Sequence, residues 1–316
     1  MSKLKALLLT QGMHGMISQA EGLAKALNLN FKHQNIKLKK FWEFIPPFLT
    51  PETLSVLDTQ FIFDSKIVIS CGRKSVIPSI ALKKKYKSEI FTIHIQDPKV
   101  PTSKFDLVIS PKHDRLIGEN VINTVGAIHY LSLKEIDKNK NYIKLDKENK
   151  KIITFILGGP NKYYDFSDEQ INNIFNKVKT IFTPDKYKII VIPSFRTPET
   201  VIKKAFNSFS HSHLVFKEID KKAYLSALAI TDYIVVTCDS TSMISEAAIT
   251  GKPIYVAQMS PKRNNLRFTD FFNEFKNLNI IKDLEDKIEL WSYNKLDEVN
   301  RISNKIKNKI LNNGIN

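Results

Sequence analysis

Cysteine is nearly absent from this 316-residue chain: Cys71 and Cys238 are the only two. Each ends a predicted strand in a different half, so no structural disulfide is expected, and neither has metal-ligand spacing. No apolar run approaches the roughly 18 residues that a membrane-spanning helix needs. The opening MSKLKALLLT holds four consecutive apolar residues behind its lysines. That is too short for a secretory core and reads as the first strand of a cytosolic protein. Arginine is scarce too. Arg73, Arg115, Arg196, Arg263, Arg267 and Arg301 are six among 48 cations, so its planar fork is expected where geometry demands one. Neither a G-x-G-x-x-G fingerprint nor a G-x-x-x-x-G-K-[ST] loop occurs, which disfavours NAD binding and the commonest NTPase reading. Solenoid repeats and low-complexity blocks are missing as well.

What is present is an ordinary globular composition, 42% hydrophobic and 25% charged, at a length that suits two domains. A formal net charge of +16 favours an anionic partner such as phosphate or anionic lipid. No motif supports specific nucleic-acid binding. Short apolar runs alternate with helix-like stretches: LKALLLT, KIVIS, EIFTIHI and FDLVIS in the first half, then KIITFIL, YKIIVIPS, HLVFKE, DYIVVTC and PIYVA in the second. That alternation predicts βαβ units and parallel sheets. The expected class is α/β, two Rossmann-like parallel-sheet domains facing across a cleft. The N-terminal domain is placed at 1–133, a charged linker at 134–150 and the C-terminal domain at 151–290. A helix in 291–316 is expected to pack back on the first half. Residues 41–64, with Pro46, Pro47 and Pro51, read as an irregular excursion.

Ligands of open parallel sheets sit beyond the carboxyl ends of strands, where helix N-termini offer N–H groups to anions. The candidate residues are therefore those that follow strands. On the side expected to take the acceptor these are Gly12 and Gly15, which flank His14, and the run Arg73, Lys74 and Ser75. His14 is a candidate general base or simply a cap on the next helix. Asp97, His113 and Asp114 are weaker catalytic candidates, or solvated turn residues. On the nucleotide side stand Gly158 and Gly159, then Ser194, Arg196 and Thr197, with Arg196 expected to clamp phosphate oxygens. Asp239, Ser240, Ser242, Met243, Ser245 and Glu246 open a further helix. Their hydroxyls and N–H groups suit a diphosphate and Glu246 suits ribose hydroxyls, although Ser and Asp are also good caps and Glu246 a helix-terminal acid. No metal-ligand spacing appears and no cofactor is implied. The segment KLKKFWEFIPPFL (37–49) either docks on anionic lipid or fills a core with Trp42, Phe44 and Phe48.

The run TCDSTSMISEAAITGKP is similar to the donor-nucleotide motif of GT-B glycosyltransferases. The chain more broadly resembles the "elongated mitochondria" fission family of plants and its bacterial members, through TQGMHGMISQAEGLAKAL, GRKSVIP, IQDPKVP, FDLVISPKHD, GENVINTVGAIH, LGGPNKYY, SFRTP and DSTSMISEAAITGKPIYV. These stretches spread over most of residues 7–257. The resemblance implies a GT-B fold. For plant members it implies an adaptor that brings a dynamin-like GTPase to a membrane surface. For bacterial members it implies a glycosyltransferase of envelope polysaccharide or lipopolysaccharide. A chain of this composition without plant-type extensions reads as a bacterial member. The expected activity is metal-independent transfer from a nucleoside diphosphate sugar to a membrane-associated acceptor, by a cytoplasmic protein peripheral at the inner face of the membrane. The alternative is a non-catalytic adaptor that recruits a protein partner.

Overall fold

The computed structural model describes residues 4–58, 62–145, 149–263 and 265–315. In chain order the strands and helices are β1 (Lys5–Thr10), α1 (His14–Ala26), β2 (Asn30–Asn35), α2 (Lys40–Phe44), β3 (Ile67–Cys71), α3 (Val76–Tyr86), β4 (Phe91–Ile95), β5 (Leu107–Pro111) and β6 (Val121–Thr124). There follow α4 (Leu133–Lys138), β7 (Lys151–Leu157), α5 (Asp168–Ile181), β8 (Tyr187–Pro193), α6 (Glu199–Phe209), β9 (Leu214–Val215) and α7 (Lys221–Ile230). The last are β10 (Tyr233–Thr237), α8 (Thr241–Ala248), β11 (Ile254–Ala257), α9 (Leu266–Asn277), β12 (Ile281–Asp283) and α10 (Glu298–Asn312). The described residues form two six-stranded parallel sheets, ordered β2-β1-β3-β4-β5-β6 and β12-β11-β10-β7-β8-β9. Two compact units result, residues 1–130 with 297–316 and residues 131–296.

Strands such as IVISC, LVISP and IITFIL are largely apolar runs rich in isoleucine and valine because both faces of a parallel sheet are covered. In the first unit Leu8, Ile69, Ile93 and Ile109 point to one face, against Ala20, Leu23 and Ala24 of α1 and Ile302, Ile306 and Ile310 of α10. Leu7, Leu9, Val68 and Val108 point to the other, against Val76, Ile77 and Ile80 of α3 and against Leu38, Val56 and Leu57 of the excursion. In the second unit Ile152, Ile190 and Ile192 face Ala223 and Ala227 of α7. Phe155 meets Phe175 of α5 and Phe209 of α6 edge to face, with ring centroids 6.0 and 6.1 Å away. Polar β2, NFKHQN, escapes a periodicity search because it is an exposed edge strand.

The stretch read as a linker, 134–150, is structured over much of its described length. Ser132 Oγ accepts the Glu135 N–H at 3.2 Å to cap α4. Ile143 is buried, and its N–H donates to Ser226 Oγ at 3.0 Å. Two isoleucines seven residues apart, Ile136 and Ile143, carry the apolar anchoring here, too sparse a signal for a helical pattern.

The second unit ends where the Leu296 N–H bonds the Ala248 carbonyl at 3.1 Å. The chain then returns to the first unit through α10. Glu298 fastens that return: it is 4% exposed, accepts the Val125 N–H at 2.6 Å and pairs with Arg301 at 2.6 and 2.8 Å. Arg301 also donates to the Asn123 carbonyl at 3.0 Å. Replacing Glu298 by alanine leaves the Val125 N–H without its acceptor and takes the ion pair from half-exposed Arg301, and is expected to cost about 1.5–3 kcal/mol. The check is a lower midpoint of chemical denaturation, and an unchanged midpoint would show that α10 is held by its isoleucines alone.

Candidate functional site

In the second unit the sheet's carboxyl end is organised around Asp239, just after β10. Its side chain is fully buried. Thr237 Oγ1 donates to one oxygen at 2.6 Å, and the Gly159 N–H and Arg196 Nη2 donate to the other at 3.1 and 2.7 Å. Burial raises the Asp239 pKa above the ordinary carboxylate value, with Arg196 as the chief opposing influence. Arg196 also donates Nη1 to the Gly159 carbonyl at 2.8 Å. Gly158 and Gly159 are required by this closeness. A Cβ on Gly158 would overlap the Asp239 carboxylate and one on Gly159 the Arg196 carbonyl.

The guanidinium expected to clamp phosphate is thus committed to an internal carboxylate and a main-chain carbonyl. Thr197 likewise turns inward, its Oγ1 donating to the Leu157 and Gly158 carbonyls at 2.9 and 2.7 Å. Ser194 Oγ lies 3.1 Å from Thr197 Oγ1. These bonds shape the loops after β7, β8 and β10, and the Arg196 side chain keeps 35% of its surface exposed.

The start of α8 is more open. Ser240 caps it, its Oγ accepting the Met243 N–H at 3.4 Å, while the N–H groups of Thr241 and Ser242 have no intrahelical carbonyl to bond. Thr241, Ser242 and Met243 are part-exposed. Ser245 is buried and donates its Oγ to the Thr241 carbonyl at 2.8 Å. Glu246 is part-exposed and accepts a hydrogen bond from Tyr224 Oη on α7 at 3.1 Å through one oxygen. Desolvation pushes its pKa up to about 7, opposed by the Tyr224 hydrogen bond. An open groove of about 580 Å³ lined by residues 214–222 lies along the β9–α7 connection. Asp220 in that lining caps α7, one turn before Tyr224. Tyr224 was not found from sequence, since no spacing rule links it to a glutamate on another helix.

In the first unit Gly12 takes a left-handed φ of 81° and His14 opens α1, exposed, with its ring edge-on to Tyr130 at 6.3 Å. Gly15 accepts through its carbonyl from Gln19 Nε2 at 3.2 Å. Arg73 Nη2 donates to the Glu43 and Ile45 carbonyls at 3.1 and 2.7 Å, and Lys74 pairs with Glu43 at 2.5 Å. Ser75 is buried against the Gly72 carbonyl at 2.7 Å. Arg73 and Lys74 therefore hold the excursion in place, while Ser75 closes the turn that carries them. Asp97 is tied to Lys99, by its N–H at 2.9 Å and its ammonium at 2.5 Å. Asp114 accepts from Ser110 Oγ at 3.4 Å, and buried His113 lies 3.9 Å from it. Of the first-unit candidates, His14 stands exposed at a helix start beside a conformationally special glycine. Among the described residues no group of three His, Cys, Asp or Glu side chains could hold a metal ion, and no helix is long and apolar enough to cross a membrane.

Comparison with known proteins places this geometry in a family. The chain is 25% identical over 334 residues to an uncharacterized protein of Rickettsia prowazekii, covering 91% of this chain and 94% of that one. It is 24% identical over 278 residues to mitochondrial fission protein ELM1 of Arabidopsis thaliana, covering 77% of this chain and 64% of that protein. Among solved structures, UDP-GlcNAc 2-epimerase from Neisseria meningitidis bound to UDP-GlcNAc superposes with a TM-score of 0.55 at 14% identity, covering 98% of this chain and 100% of that one. The glycosyltransferase of kitacinnamycin superposes at 0.54 and 9% identity, covering 99% and 94%. The fold is accordingly that of the GT-B proteins. A family model described as mitochondrial fission ELM1 matches residues 14–310, and the chain belongs to that family.

Proposed function

We propose that the second unit binds a nucleoside diphosphate sugar at the carboxyl end of its sheet and that the protein transfers the sugar to a membrane-associated envelope acceptor, without a metal ion. The observation that carries this reading is Glu246. It is a partly desolvated carboxylate on a part-exposed residue, with one oxygen bonded to Tyr224, placed one turn beyond the bare N–H groups of Thr241 and Ser242. A carboxylate there would accept the paired hydroxyls of a ribose, and the N–H groups would receive a diphosphate. The groove along residues 214–222 would take the base. Helix dipole and N–H groups would stabilise the leaving diphosphate in place of a cation. His14 would remove the acceptor proton. Support by analogy comes from structures of this fold that hold UDP or UDP-GlcNAc, those of S. aureus MnaA and the N. meningitidis epimerase. The protein would work in the cytoplasm, at the inner face of the membrane. The adaptor reading is favoured by one observation: Arg73, Lys74, Arg196 and Asp239 all engage partners within the chain.

Two measurements test the transferase reading. Ribose hydroxyls donate best to an ionised carboxylate, and below about pH 7 Glu246 holds a proton that the ligand must displace. Affinity for a nucleoside diphosphate sugar, whose doubly esterified diphosphate has no ionisation near neutrality, should therefore rise with pH and level off above about 7. The limiting slope is roughly tenfold per pH unit. Glu246→Gln should flatten that profile and weaken binding above pH 7 by about 1.5–3 kcal/mol. A wild-type profile that is already flat removes Glu246 from the site.

The second measurement separates binding from turnover. His14→Ala should leave donor affinity intact while turnover falls by roughly 10²–10⁴-fold. A His14→Ala protein with full transferase activity removes the histidine from the chemistry. A wild type that binds no nucleotide sugar but captures a defined protein partner supports the adaptor.

A further inference from the structure

The excursion between β2 and β3 has two unlike faces. Its inner face is anchored: Leu38, Val56 and Leu57 are buried, Leu38 bridges Leu57 antiparallel, and Trp42 packs against the same core. Arg73 grips the carbonyls at the end of α2, and Lys74 neutralises Glu43. Pro47 and Thr50 are buried. The segment is thus a fixed part of the unit.

Its outer face is apolar and cationic. Phe44 is 82% exposed, Phe41 and Phe48 66%, and Leu49 63%. Phe41 and Phe44, three residues apart, share one face of α2. Just upstream Lys37 and Lys39 alternate with buried Leu38 and are exposed, as is Lys40. Among the described residues no ion pair engages these three ammonium groups. Asp58, whose N–H bonds the Lys37 carbonyl at 3.0 Å, is the neighbouring carboxylate, so cations outnumber it. Single exposed apolar residues are ordinary on a protein surface, but four clustered within residues 41–49 are not.

We propose that residues 37–49 form a docking surface for an anionic lipid bilayer. Phe41, Phe44, Phe48 and Leu49 enter the boundary between headgroups and acyl chains, about 5–10 Å deep, while Lys37, Lys39 and Lys40 meet headgroup phosphates. Protein interfaces are depleted in lysine, whereas lysine beside phenylalanine and leucine is the composition of a segment lying in a membrane surface. The proposal stands whether or not the protein transfers a sugar.

The test is co-sedimentation of the full chain with vesicles of phosphatidylcholine containing phosphatidylglycerol, against vesicles of phosphatidylcholine alone, with no nucleotide present. Wild type should sediment with the anionic vesicles and far less with the neutral ones. Phe44→Ser with Phe48→Ser should abolish sedimentation while the thermal midpoint and any nucleotide-sugar affinity in solution stay unchanged. Neutralising Lys37, Lys39 and Lys40 by glutamine should weaken it about fivefold per lysine and remove its salt sensitivity. Equal affinity for the two vesicle types, or undiminished sedimentation of the folded serine variant, overturns the proposal. So does a wild type that ignores vesicles and instead self-associates or binds a protein through this face.

Discussion

The loops after β7, β8 and β10 depend on one buried carboxylate. Asp239 takes its donors from the loop after β7, through the Gly159 N–H, from the loop after β8, through Arg196, and from the end of β10, through Thr237. Three chain segments distant in sequence are thereby fixed in a single arrangement. Removing Arg196 would leave the buried Asp239 carboxylate without its counter-charge, so the loop after β8 is needed to hold the other two segments in this arrangement. Its main-chain carbonyl is used too, accepting from Asn161 Nδ2 at 3.0 Å. The next helix, α8, starts directly from this fixed point, which orients its N–H groups.

Asp239 and Glu246 are seven residues apart and divide the labour between them. Asp239 is closed off by its donors and serves architecture. Glu246 keeps part of its surface in solvent and has a proton affinity near neutrality, which suits a group whose task is to change partners. Lys252, in the same motif, belongs with Asp239: its Nζ donates to the Leu228 and Ala229 carbonyls at 3.1 and 2.7 Å and closes the end of α7.

The two-sheet α/β class was legible because parallel strands buried on both faces must be continuous apolar runs. What lacked that signature was missed or misjudged: the polar edge strand β2, two-residue β9 within the longer run HLVFKE, and the segment around α4. At the site, positions after strands were readable but directions were not. The scarcity of arginine did mark places where a planar fork matters, yet Arg73, Arg196 and Arg301 each direct it to main-chain carbonyls of the chain itself. Sequence cannot distinguish a fork that bonds the chain's own carbonyls from one aimed at a ligand, since both need the same residue in the same loop. The split of 37–49 into half-buried Trp42 and exposed Phe44 and Phe48 is likewise a matter of orientation, which composition does not encode.

The return of α10 to the first unit bears on the order in which the chain matures as it leaves the ribosome. Residues 131–296 are contiguous, so the second unit has its whole sequence in hand before the last helix emerges. The first unit, though made earliest, has a core that Ile302, Ile306, Ile310 and Ile315 complete. Until they arrive, one face of its sheet lacks part of its cover, so of the two units the one begun earlier is sealed later.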